Sequence, residues 1–115
     1  SQPLGTVQFF IHFQNMASSN ISIHSVSIIE NSHEYPCELI PKKIREFDSE
    51  MLKSTEFPIF LCPDQGYLCF LEFVSCQDIQ LVPGKTVVLR IYSNRGQINR
   101  SVILGNTSHY LHIRH

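Results

Sequence analysis

The chain has no tryptophan, five glycines, and charge on only 17% of its 115 residues. Each shortage excludes something. Without tryptophan, the side chain that most readily builds a stacking platform for sugar rings is missing. Nine lysines and arginines against ten acids leave a formal net charge of −1. No basic field exists to hold a polyanion, so nucleic acid and an anionic membrane surface are excluded as first partners. No apolar run reaches the length of roughly 18 residues that a membrane-spanning helix needs. The chemistry-bearing motifs are missing too. There is no C-x-x-C knuckle, no G-x-S-x-G, no glycine-rich phosphate loop and no pair of acids in a readable setting. An enzyme is not expected, nor a metal or other cofactor. His109, His112 and His115 recur every third residue, but on a strand that spacing sends successive side chains to opposite faces.

What is present is an apolar, β-branched sequence. At 43% hydrophobic, the chain buries a core rather than staying disordered. Its length suits one domain spanning residues 1–115 that needs no metal or disulfide staple. It begins Ser1-Gln2-Pro3, and the expectation is a piece of a longer protein or a mature form after cleavage.

The clearest stretch is Leu81 to Gly105. Thr86 to Tyr92 reads as a strand, Ser93-Asn94-Arg95-Gly96 as a turn, and Gln97 to Leu104 as the returning strand. The other segments follow the same pattern. Thr6 to Phe13 puts Val7, Phe9, Ile11 and Phe13 on one face. Phe10 lies on the other, so that side is expected to be partly covered. In Ile21 to Ile29 the alternation slips between Ile23 and Val26, which predicts a bulge near His24-Ser25. Tyr35 to Ile40 reads as one short strand, with Pro36 marking an edge or a start. Ile59 to Cys62 is a brief strand ending at a Pro63-Asp64-Gln65-Gly66 turn. Tyr67 to Val74 is almost continuously apolar and suits a central strand covered on both sides. Tyr110 to Ile113 closes the chain. Seven or eight strands with regular turns predict an all-β antiparallel sandwich, with a closed barrel as the alternative.

Val82-Pro83-Gly84-Lys85, the strand TVVLRIY, Gly96 and SVILG together resemble the closing half of immunoglobulin-like modules of the major-sperm-protein and PapD-like kind. VQFFIHFQNMASSNISIHSVSI is similar to the opening strand, turn and strand of such modules. The resemblance implies an immunoglobulin-like fold and a non-catalytic module of a larger protein that binds other proteins. It carries over no site residue.

Residues 41–58 break the strand pattern and concentrate charge. They read as a long connection with a helical turn capped by Asp48 or Ser49, or as a binding loop, with Lys42, Lys43, Arg45, Glu46, Phe47 and Asp48 as candidate protein-binding residues. An unpaired sheet edge is the other candidate surface, because an extended segment can add a strand there. Three glycosylation sequons start at Asn20, Asn99 and Asn106. Cys37, Cys62, Cys69 and Cys76 are candidates for disulfides, with four reduced thiols as the alternative. A Cys62–Cys76 bridge would close a loop of about 15 residues, stabilising by roughly 3 kcal/mol on the chain-entropy model. Cys37 and Cys69 would link two sheets. Sequons and an even cysteine count favour a lumenal or extracellular setting over the cytoplasm. Two functions follow. One is a protein–protein interaction module of a multidomain protein, of a membrane or trafficking system. The other is an extracellular glycosylated sandwich acting as a secreted ligand or a carbohydrate-binding domain.

Overall fold

A computed structural model describes residues 4–39, 56–74, 79, 81–105 and 108–115. Among them are nine strands and no helix: β1 (Thr6–Gln14), β2 (Ile21–Glu30), β3 (His33–Pro36), β4 (Glu38–Leu39), β5 (Ile59–Leu61), β6 (Gly66–Val74), β7 (Thr86–Ser93), β8 (Gly96–Ile103) and β9 (Ser108–Arg114). They form two sheets. Sheet I has the order β4-β6-β1-β9, and sheet II the order β3-β2-β7-β8 with β5 also paired to β2. The protein is an all-β sandwich.

Alternation explains the packing. Along β1 every second residue is buried, and Val7, Phe9, Ile11 and Phe13 all point inward. Cys69, Leu71 and Phe73 of β6 and Ile113 of β9 complete the inner row of sheet I. Sheet II answers with Ile21, Ile23, Val26 and Ile28 of β2, and Val87, Leu89 and Ile91 of β7. Two apolar faces that would otherwise meet water are removed from it together, and that burial holds the layers in contact. The expected bulge is there: the β2–β7 register shifts between Ile23 and Ser25. The extra residue returns Val26 and Ile28 to the core side that Ile21 and Ile23 occupy before it.

The turns are chemically legible. Asn31 (φ 49°) and Ser32 (φ 68°) join β2 to β3, and positive φ at both positions is the two-residue hairpin turn that matches strand twist. Gly96 takes φ 109° where β8 begins, a conformation glycine adopts without strain. The buried side chains of Asn15 and Glu30 find polar partners. Asn15, fully buried after β1, donates through Nδ2 to the carbonyls of Ser19 (2.9 Å) and Leu61 (3.1 Å). Its Oδ1 accepts from the Ala17 amide (3.0 Å) and Arg95 Nη1 (3.2 Å). Glu30, also buried, pairs with Lys85 Nζ and accepts from Asn31 Nδ2.

Two expectations need correction. Tyr35 to Ile40 is not one strand. The Cys37 amide donates to the Val26 carbonyl (2.9 Å), and on either side of it the chain belongs to different sheets, β3 in sheet II and β4 in sheet I. The sandwich is also not wholly antiparallel: β9 runs parallel to β1, from Gln8↔Ser108 to Gln14↔Arg114. After β8 the chain leaves sheet II for sheet I, and that crossover sets the direction of β9.

Candidate functional site

The outer faces differ sharply. On sheet II, Glu34 of β3 accepts from the Tyr92 hydroxyl (2.5 Å) and from Arg90 Nη1 (3.2 Å), and Arg90 Nε donates to Asn99 Oδ1 (2.8 Å). The Tyr92 hydrogen bond is the largest of the influences that hold the Glu34 carboxyl below its usual range. Ser27 and Arg90 add to it, and desolvation opposes it. The network runs from β3 across β7 to β8. Phe60, on β5 at the rim, and Ile103, at the end of edge strand β8, are the large exposed apolar groups among the described residues of that face, and neither joins an aromatic stack there.

The even-numbered residues of β1 face outward from sheet I, and register places their neighbours. Phe10 lies between Phe70 of β6 and Tyr110 of β9. Its ring meets Phe70 edge-on at 4.8 Å and stacks on Tyr110 at 4.8 Å with the planes 18° apart. The next row is Leu68, His12 and His112, with the two imidazoles 4.8 Å apart and edge to face. The sequence expectation that the second face of β1 is partly covered is met here by the neighbouring rings. β6 is central, as expected, but its outer side is not wholly covered: Phe70 is 8% exposed, whereas Leu68 is 45%. The ladder ends at Tyr110, 79% exposed on the edge strand β9.

The two flanks of the sandwich also differ. One is edged by β3, β4 and β5, of four, two and three residues. The other is edged by β8 and β9, of eight and seven residues. Short edges offer little for pairing, and long ones offer a template. β8 carries its own protection. Arg100 lies opposite core residue Leu89, on the core-facing row of the strand, and its side chain is exposed. A charge in that row opposes the burial that strand addition brings. On β9 the corresponding row is His109, Leu111 and Ile113, opposite Phe9, Ile11 and Phe13. His109 Nε2 accepts from the Gly105 amide (3.1 Å), so Nδ1 carries the proton. That nitrogen is buried without a hydrogen-bond partner among the described residues.

The residues singled out from sequence fall elsewhere. Asn20, before β2, and Asn99, on β8, are exposed; Asn106 lies outside the described residues. Cys37, Cys62 and Cys69 are free thiols, so neither the Cys37–Cys69 nor the Cys62–Cys76 bridge is present; Cys76 itself is outside the described residues. Burial pushes the Cys37 and Cys69 thiols up to about 12, which leaves them unreactive as nucleophiles. Lys42, Lys43, Arg45, Glu46, Phe47 and Asp48, with the expected helical turn, also lie outside the described residues. The histidines of the C-terminal strand fall on opposite faces, His109 inward and His112 outward, as their spacing requires. The ladder itself was missed. Its one visible signal was Phe10, an aromatic residue on the polar side of an alternating strand.

By its fold the protein belongs with the all-β sandwiches. No protein-family model matches the chain, and no curated protein matches it significantly.

Proposed function

We propose that the chain is a non-catalytic protein–protein interaction module that takes its partner along β9 and the aromatic outer face of sheet I. The observation that carries this is the Phe70–Phe10–Tyr110 ladder running to an exposed ring on a seven-residue edge strand. Exposed aromatic groups beside an open sheet edge offer apolar contact and backbone hydrogen bonds in one place. A partner strand would be the next member of sheet I. The strand order supports an immunoglobulin-like reading of the sandwich. β4-β6-β1 and β2-β7-β8 pair as the two sheets of that Greek key do, with β9 at the position of its first strand. Such modules serve as parts of larger proteins, and the membrane or trafficking context is proposed on the same footing.

The geometry favours protein over sugar as ligand. Phe10 and Tyr110 stack on each other, which leaves one open ring face at the edge, that of Tyr110 turned away from Phe10, rather than a flat row of faces. A lumenal or extracellular site of action is supported by the exposure of Asn20 and Asn99. Intact mass of the secreted chain before and after glycosidase tests that setting; an unmodified chain argues for the cytoplasm.

The test of the binding reading is capture from cell extract by three immobilised chains: wild type, Tyr110→Ala, and Arg90→Met on the opposite face. Specific partners lost with Tyr110→Ala and kept with Arg90→Met support the site. Partners equally retained by both variants move the site elsewhere.

A further inference from the structure

We propose that the partner fitted by the β9 edge is a second copy of this chain, paired antiparallel through β9 with Leu111 on the two-fold axis. The proposal rests on the binding reading above and names its occupant. Backbone parity comes first. The His115 amide donates to the Gln14 carbonyl (3.0 Å), and its own carbonyl accepts from the Met16 amide (2.9 Å). Odd-numbered positions of β9 therefore bond to β1. Tyr110, His112 and Arg114 turn their amides and carbonyls to the other side, where no strand pairs among the described residues.

The strand is complementary to itself. With Leu111 on the axis, Tyr110 of one copy lies opposite His112 of the other, and Arg114 opposite Ser108. Arg114 never meets its own image, so no like charges are opposed within the pairing. In the core-facing row Leu111 meets Leu111, and His109 meets Ile113. The face of Tyr110 turned away from Phe10 receives an imidazole, extending the ladder across the interface. Tyr110 and His112 exchange their outward amides and carbonyls across the axis, and sheet I becomes one continuous sheet of eight strands. A formal net charge of −1 leaves little repulsion between copies. The buried area is small, so the dimer is weak and concentration-dependent.

Sedimentation equilibrium from a few to several hundred micromolar tests this. Wild type is expected to shift towards twice its 13.2 kDa mass. His112→Pro removes an outward amide that does not bond to β1, and Tyr110→Lys puts a cation against His112 of the other copy. Each is expected to weaken dimerisation by about tenfold or more with the thermal unfolding transition retained. If His112→Pro fails to fold, Tyr110→Lys decides. A wild type that stays monomeric overturns the proposal, as does a dimer unaffected by both substitutions. Photo-crosslinking from p-benzoylphenylalanine at position 110 in cell extract separates this inference from the function it rests on. A chain-to-chain adduct mapping to β9 supports the dimer. An adduct with a different polypeptide alone overturns the dimer and leaves the interaction module standing. No adduct of either kind overturns both.

Discussion

On the outer face of sheet II, Glu34, Arg90, Tyr92 and Asn99 engage one another. On the outer face of sheet I, Phe10, Phe70 and Tyr110 also engage one another, but they leave apolar surface in water. The two faces belong to one sandwich with one core, yet among the described residues only the second carries a stacked aromatic ladder. Polar side chains that satisfy each other have few donors and acceptors left for a partner. Stacked rings keep exposed edges and an open outermost face, and their contact with another protein releases water. This difference is what supports the proposed recognition role of the sheet I face.

The largest effect separating the faces is expected at Phe10, which lies between two rings. Phe10→Ala should lower stability by about 2 kcal/mol in urea unfolding. An unchanged midpoint would mean that the ladder is surface decoration rather than packing. The polar network is worth less, because its ion pair is part-exposed. Arg90→Met should cost about 1 kcal/mol or less.

Acid should act on the polar face. A carboxylate with a lowered native pKa contributes stability above its ordinary value of 4.5, and that contribution is lost as pH falls through the lower native value. Glu34→Gln should therefore flatten the stability profile below about pH 4.5 and lower stability at neutral pH, where the carboxylate's contribution is fully present, so that the two proteins converge in acid. His115 adds a separate limb. Burial, and then the Arg95 charge, lower its native pKa from 6.5, so its contribution is full above that value and declines on acidification below it. An identical acid profile for Glu34→Gln and wild type would remove Glu34 from the account. The smallest stability effect is expected at Tyr110, whose ring is mostly in water. Tyr110→Ala should change stability by about 0.5 kcal/mol while weakening the proposed partner contact. A large loss of stability would instead make Tyr110 part of the fold.

Much of this was legible in the chain, for identifiable reasons. The inward rows of β1 and β7 follow from period-two alternation, and the bulge beside His24 from a slip in that alternation. The Asn94-Arg95 hairpin follows from turn chemistry ending on a glycine. The buried role of Asn15 was hidden, because a polar residue in a polar turn gives no sign that its amide will be enclosed by Leu61, Ser19 and Arg95. The division at Cys37 was hidden because YPCELI reads equally well as one strand or as two pieces in different sheets.

Local pattern alone therefore determined that these segments are strands, which side of each turns to the core, and where the chain reverses. Such properties depend on neighbours two to four residues away, and the side-chain alternation of a strand records them. Tertiary structure decided which strands share a sheet, that β9 runs parallel to β1, and that Phe10 stands between Phe70 and Tyr110. Those rings are far apart in sequence and stand in adjacent strands. Their contact depends on register between strands, set by burial of the whole inner face at once, and no single stretch of the chain encodes it.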